Sequence, residues 1–184
     1  MTAAADPLQL FGAWFPRDPL LLGVPVALAT ASVDGRPSVR MVLMKDADDR
    51  GLTFFTGYES RKGRELAANP NAALLFHGGG RQVRVEGAVD RVSAVDSDAY
   101  WATRPSASRR SAAASHQSEP IGSRQELEAA VAAQPDEPPR PARWGGYRLV
   151  PSTWEFWEHR DDRLHDRRLF LRDGDGWRTV VLQP

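Results

Sequence analysis

The stretch RMVLMKDADDRGLTFFTGYESRK, residues 40–62, decides how this chain is read. Its two apolar runs, 41–44 and 52–56, flank a polar connection at 46–51. That is the pattern of a β-hairpin whose loop is a little longer than the tightest turns. In an alternating strand Met41 and Leu43 share one face and Arg40, Val42 and Met44 the other, with Lys45 at the strand end where alternation can lapse. Past Gly57 the chain meets Ser60, a good N-cap, and SRKGRELAAN then reads as a helix closed by Asn69-Pro70. That cap puts Arg61 and Lys62 in the first helical turn, where the macrodipole disfavours cations. Free backbone N–H groups plus two cations at a helix start make a seat for a phosphate. The plainer alternative is a surface helix that tolerates unfavourable charges.

The whole chain narrows the choice of partner. At 184 residues it is most simply one domain, 1–184, long enough to bury about two thirds of the surface its unfolded form exposes. Lysine plus arginine equals aspartate plus glutamate at 24 each, so no overall field favours nucleic acid or an anionic membrane. Local basic clusters can still hold a small anion. The absence of cysteine removes disulfides and thiolate chemistry. No apolar run approaches the length of a membrane span, and no charged n-region with an apolar h-region opens the chain, so the cytoplasm is the expected compartment.

Residues 1–6 are small and polar and are expected to fray. A short helix follows from Pro7, with Asp6 as its cap, ended by Pro16 and Pro19. Residues 24–32 and 37–44 read as strands joined by a turn at Asp34-Gly35, and the second leads into the opening hairpin. Residues 72–76 and 82–89 read as two more strands around Gly78-Gly79-Gly80, which has no helix after it and is therefore a loop and not a phosphate cradle. Residues 96–103 look helical. The Ser/Ala-rich run SASRRSAAASHQSEP has the composition of a flexible linker. Ser123 and Glu126 form a capping box for a helix to about Ala133, and 134–143 is a proline-rich connector. Residues 144–150, 154–157, 168–171 and 177–182 are the last strands, with Asp173-Gly174-Asp175-Gly176 turning the final hairpin. Strand upon strand with inserted helices predicts an antiparallel barrel or sheet, not a Rossmann fold.

His77, His116, His159 and His165 form neither HExxH nor a pair at helical spacing, so zinc is not expected, and no G-x-S-x-G elbow marks a serine nucleophile. The positive signal is a scatter of cations on β-rich segments: Arg40, Lys45, Arg61, Lys62, Arg104, Arg163 and Arg167. If extended, residues 163–167 put Arg163, His165 and Arg167 on one face, aimed at one ligand. Each of these is individually consistent with a solvated surface charge. The residues alone reach a barrel-like domain that binds a phosphorylated small molecule.

The ordered set R-M-V-L-M-K (40–45), F-F-T (54–56), S-R-K (60–62), R-Q-V (81–83), R-P (104–105), Q-S (117–118), W-G-G-Y-R (144–148), E-F-W (155–157) and R-L-H-D-R (163–167) resembles the FMN-dependent pyridoxine/pyridoxamine 5′-phosphate oxidases over nearly the whole chain. The resemblance implies a mainly β split barrel with a few helices, and FMN bound at a homodimer interface. Carried over by position, it implies FMN ligands Arg40, Met41, Val42, Leu43, Met44, Lys45, Phe55, Thr56, Arg61, Lys62, Gln82, Gln117, Ser118, Trp157 and Arg167, with Phe55 where the family often has tyrosine. The substrate phosphate would meet Lys45, Tyr100, Arg104 and Ser108, and the catalytic pair Arg163 and His165 would cover the pyridine ring. The implied chemistry is hydride transfer from the substrate C4′ to the flavin and reoxidation by dioxygen, with the protein orienting the reactants and neutralising charge. Two departures fall on the substrate side. The basic N-terminal arm of well-studied members has no counterpart before Pro7, and Arg109-Arg110-Ser111-Ala112-Ala113 replaces an S-Q-I-G-A-W-like run. A flavin oxidase of a phenazine-like pathway and a non-catalytic flavin-binding module are the alternatives.

Overall fold

The computed structural model describes residues 6–16 and 23–184. Residues 1–5, expected to fray, and Pro19 lie outside them. Asp6 caps the first helix, α1 (Pro7–Trp14), by accepting from the Leu8 N–H at 2.9 Å, and Pro7 stands at its first position. Six antiparallel strands then close into a ring. In chain order they are β1 (Val24–Ala31), β2 (Pro37–Asp48), β3 (Gly51–Gly57), β4 (Asn71–Gly78), β5 (Arg81–Arg91) and β6 (Trp144–Glu158). Around the barrel the order is β3-β2-β1-β4-β5-β6, closed by β3 on β6 from Leu52↔Leu149 to Gly57↔Trp144. β7 (Asp166–Asp173) and β8 (Gly176–Val181) extend the sheet from the far half of β6.

Alternation fills the ring. Val26 and Leu28 of β1, Met44 of β2, Phe54 of β3, Leu74 and Phe76 of β4, Val83 and Val85 of β5, and Trp154 and Phe156 of β6 point inward and are almost fully buried. Each such side chain contributes roughly 1.5–3 kcal/mol by leaving water. α1 plugs one end: the Phe11 ring lies 4.7 Å from Phe76 and 5.4 Å from Trp154.

The opening hairpin is tighter than its polar connection suggests. β2 runs on to Asp48, which pairs with Gly51, so only Asp49 and Arg50 turn the chain. The Asp48 carboxylate secures the turn by accepting from the Arg50 backbone N–H at 3.0 Å and from its Nη2 at 2.6 Å. Alternation does lapse at Lys45, where a bulge shifts the pairing from Met44↔Phe54 to Asp46↔Thr53. Residues 144–150 and 154–157 are one strand, not two. Pro151 has no N–H to give the ladder and sits across from Gly87, where the register shifts. A Cβ on Gly87 would lie 1.9 Å from the Val150 carbonyl oxygen, so only glycine permits that approach.

β2 and β3 part company beyond Met44↔Phe54. Residues 37–43 of β2 pair with β1 alone, while 55–57 of β3 turn away to pair with β6. The wall is split there, and one edge of β2 carries backbone groups with no strand partner among the described residues. Four helices gather beyond the barrel: α2 (Arg61–Ala68), α3 (Ala94–Thr103), α4 (Ser106–Ala114) and α5 (Arg124–Ala132). α4 corrects the expectation of a flexible linker over 106–120, of which it takes the first nine residues. Its alanines favour a helix and Pro105 starts it, with the Arg109 N–H donating to the Pro105 carbonyl at 3.1 Å. Ser123 caps α5 through the Glu126 N–H at 3.1 Å, as its capping box requires.

Candidate functional site

A cleft of about 890 Å³ lies at the split, between the open edge of β2, the end of β3, the start of α2 and the face of α4. The local sequence sets each wall. Ser60 caps α2 by accepting from the Gly63 N–H at 3.3 Å, and its own hydroxyl donates to the Gly57 carbonyl at 2.7 Å. The first turn of α2 therefore sits directly on the end of β3. A Cβ at Gly63 would fall 2.1 Å from the Tyr58 carbonyl oxygen, so this packing needs glycine.

The turn sends its two cations in different directions. Lys62 is 6% exposed and donates to three neutral oxygens: Thr56 Oγ1 at 3.2 Å, Ser60 Oγ at 3.2 Å and Gln117 Oε1 at 3.1 Å. It makes no ion pair among the described residues. Burial, and then the nearby charge of Arg40, push its pKa down to about 8, with Glu65 offsetting part of the fall. Arg61 points away from the cleft, 62% exposed, and its Nε donates to Glu65 Oε1 at 2.9 Å. Arg40 enters from the inner face of β2 and donates to the Leu28 carbonyl at 3.1 Å, Thr30 Oγ1 at 2.5 Å and Glu65 Oε2 at 3.2 Å, and also to Ser38 Oγ.

A second cationic corner is built on aromatic rings. Phe55 stacks on Tyr100 with centroids 3.9 Å apart and planes 20° from parallel, and Trp144 lies 5.7 Å from Phe55 at 17°. The Arg104 guanidinium sits 4.5 Å from the Trp144 centroid, and Lys45 Nζ 5.7 Å from that of Tyr100. Burial lowers the Arg104 pKa, and its Nη1 is buried with no hydrogen-bond partner. A buried guanidinium nitrogen left unpaired costs energy that an anion would recover.

Of the residues singled out in the sequence, Arg40, Met41, Val42, Leu43, Lys45, Phe55, Thr56, Lys62, Tyr100, Arg104, Ser108 and Gln117 line this cleft. The others do not. Met44 faces the barrel core, and Ser118, next to Gln117, takes a left-handed backbone (φ 77°) at the surface. Gln82, Trp157 and Arg167 form a row instead, in register across β5, β6 and β7. β5 is three places from β2 in the ring, on the opposite wall. Arg167 is engaged there, its Nη2 donating to the buried Glu155 carboxylate at 2.5 Å. Residues 163–165 are not extended, so the shared face expected of Arg163, His165 and Arg167 does not form. Arg163 is exposed with φ 66° in the loop before β7, and the His165 ring packs 4.7 Å from Trp157.

Three features of the site went unread in the sequence. Trp144 walls the cleft, and only its place in W-G-G-Y-R drew notice. α4 contributes Ala107, Ser111 and Ala112, and its C-cap Ser115, from a run that resembles a linker. Glu65 holds two arginines, and its spacing four residues after Arg61 was the available signal. Among the described residues there is no cluster able to hold a metal, and no helix long and apolar enough to cross a membrane.

Residues 23–134 match the family model described as pyridoxamine 5′-phosphate oxidase, and residues 144–184 the one described as the pyridoxine 5′-phosphate oxidase C-terminal dimerisation region. A Rubrobacter xylanophilus protein named pyridoxine/pyridoxamine 5′-phosphate oxidase is 51% identical over 193 aligned residues, covering 99% of this chain and 88% of its own. Among solved structures, PhzG from Burkholderia lata, in complex with tetrahydrophenazine-1-carboxylic acid, superposes with a TM-score of 0.89 at 36% identity, covering 100% of this chain and 95% of its own. A pyridoxamine 5′-phosphate oxidase-related, FMN binding protein from Nostoc punctiforme shares the fold at a TM-score of 0.73 and 21% identity, with 90% of each chain covered. Models that span the barrel and its β7–β8 extension, with a relative identical at half of its positions, establish that the chain belongs to the pyridoxamine 5′-phosphate oxidase family.

Proposed function

We propose that this protein is an FMN-dependent oxidase that converts pyridoxamine or pyridoxine 5′-phosphate to pyridoxal 5′-phosphate, with dioxygen as electron acceptor. One observation carries the reading: a single cleft holds two separate cationic seats, a buried Lys62 without an ion pair and a buried Arg104 nitrogen without a partner among the described residues. A cofactor phosphate and a substrate phosphate are the two anions such a cleft needs. The residues fit FMN in other respects. The unpaired edge of β2 offers backbone donors and acceptors to a planar heterocycle, and the exposed Met41 and Leu43 offer it apolar surface.

Bound FMN would supply a hydride acceptor for the substrate C4′, with dioxygen taking the two electrons and two protons as hydrogen peroxide. The chain does the binding and placing. Lys62, with Gln117 and Thr56 around it, neutralises the cofactor phosphate, and Arg40 adds to the field from the inner face of β2. Arg104 and Lys45, braced on the aromatic rings, hold the substrate phosphate, so the pyridine ring is fixed at its far end. Ser108 adds a hydroxyl at the same corner.

A second copy of the chain completes the site in this reading. The outer face of β2, β1 and β4 exposes Val39, Met41, Leu43 and Leu75, an apolar surface that runs into the cleft. The row Gln82, Trp157 and Arg167, with Arg163 and His165 beside it, then reaches the open side from the partner. Most of that row lies within the 144–184 segment matched to the dimerisation model.

The test is direct. Purified protein should be yellow with flavin absorption bands, and with pyridoxamine 5′-phosphate it should release peroxide and pyridoxal 5′-phosphate in equal amounts. A colourless protein, or no turnover with either B6 phosphate, defeats the proposal. One observation favours the phenazine-type alternative: α4 turns only small side chains towards the cleft, Ala107, Ser108, Ser111 and Ala112, leaving room for a larger reduced ring system. Faster peroxide release from a reduced tricyclic carboxylate than from either B6 phosphate would favour it.

A further inference from the structure

Glu65, the fifth residue of α2, has a carboxylate only 8% exposed and surrounded by donors from three elements. Thr30 Oγ1 on β1 donates to Oε2 at 2.5 Å, Ser38 Oγ on β2 at 2.6 Å and Arg40 Nη2 on β2 at 3.2 Å. Arg61 Nε donates to the other oxygen, Oε1, at 2.9 Å. One carboxylate thus ties the barrel mouth to α2 and holds a guanidinium on each of its oxygens. Lys62 lies within reach of the same fields, drawn down by Arg40 and held up by Glu65. Burial would raise the Glu65 pKa, but hydrogen bonds from Ser38, Thr30 and Arg61 and the charge of Arg40 bring it down to about 2. The carboxylate is therefore ionised under any working condition.

We propose that Glu65 is a positioning residue for the phosphate end of the cofactor site: it fixes the Arg40 guanidinium beside Lys62 and keeps Arg61 turned outward on its other oxygen, so that an incoming phosphate meets a preset pair of cations. The inference rests on the FMN reading above. It differs in sign from the simplest electrostatic view. If Glu65 only diluted the positive field, removing its charge would tighten anion binding. If it positions Arg40, removal lets that guanidinium relax into other contacts, and the phosphate must then order it at its own cost.

Titration of the flavin-free full chain with FMN and, in parallel, with riboflavin, read by quenching of flavin fluorescence, tests this. Riboflavin lacks the phosphate, so it reports every part of the site except the one Glu65 serves. Glu65→Ala should weaken FMN binding by about tenfold or more and leave riboflavin binding unchanged. Glu65→Gln keeps one acceptor oxygen and the shape of the side chain, and should lose only several-fold for FMN, also without change for riboflavin. The milder variant carries the test if the alanine variant does not fold. FMN binding as tight as wild type, or tighter, in Glu65→Gln and Glu65→Ala overturns the positioning role. Equal weakening of FMN and riboflavin overturns it too, because it marks a general structural role. A wild-type chain that binds neither flavin, or binds both equally, defeats the FMN reading itself.

Discussion

At the scale of single residues, Lys62 is the most informative. A lysine buried among a glutamine, a serine and a threonine has hydrogen bonds but no ion pair among the described residues, and the fold holds its pKa near 8 against 10.5 in the open chain. The unfolded state therefore binds more protons between these values, so the flavin-free protein gains stability as pH rises from about 8 towards 10.5. Anion binding has the opposite sign. A phosphate dianion meets a cation below pH 8 and a neutral amine above it, so FMN affinity should fall as pH rises past 8, by up to about tenfold per unit. Fluorescence titration across that range in wild type and Lys62→Met checks this. The variant should bind weakly and without the slope, and a wild-type affinity that is level through pH 9 would sink the idea. The sequence placed Arg61 and Lys62 together as one phosphate clamp. Their divergence depends on which side of α2 meets Gln117, a contact from 55 residues further along the chain that no local pattern records.

At the scale of elements, the strands and the capped helices were legible because their signals are local: alternation, Ser60 and Ser123 as caps, and Gly-containing turns. The lengths of β2 and β6 were not, since Asp48 continues a strand only through its bonds to Arg50, and Pro151 stays in one only because Gly87 yields opposite it. α2 depends on close packing at Gly63, where an added methyl would meet the Tyr58 carbonyl. Gly63→Ala should cost roughly 1–3 kcal/mol in chemical denaturation and weaken FMN binding, because relief of the clash moves Lys62. Stability unchanged within about 0.5 kcal/mol would show that the turn can shift freely. α4 was misread because no buried residue anchors it. Arg110 does the holding, donating from Nη2 to the Val131 and Ala132 carbonyls at 3.3 and 3.1 Å, where α5 ends and accepts cations well. Its ion pair with Asp136, at 3.4 Å and 90% exposed on the acidic side, is worth well under about 1 kcal/mol. Arg110→Ala should therefore raise the KM for the B6 phosphate several-fold with little change in kcat, while Asp136→Ala should be nearly silent. Equal effects from the two would assign the hold to the ion pair instead.

At the scale of the whole molecule, the sequence resemblance put one set of residues around one cofactor, and the fold divides that set between opposite walls of a barrel. Twelve of the singled-out side chains line the cleft. Gln82, Trp157 and Arg167 lie in a row reached from β5, with Arg163 and His165 nearby. A motif list read along one chain does not say which copy supplies each member, and that is why the row could not be placed from sequence. In the proposed dimer, symmetric pairing through the apolar outer face of β2, β1 and β4 would resolve the division by bringing each cleft to the partner's row. The arrangement makes a quantitative prediction. Lys62→Ala damages the cleft, and Arg163→Ala alters an exposed loop residue with no part in the core. Each variant alone should be nearly inactive. When both are co-expressed in equal amounts, half of the dimers pair one variant with the other. In each mixed dimer one site combines both defects and the other combines the intact cleft with an intact Arg163. Peroxide formation should therefore recover to about a quarter of the wild-type rate per flavin site. No recovery in the isolated mixed dimer would mean that cleft and loop act within one chain, and the row would then need another explanation.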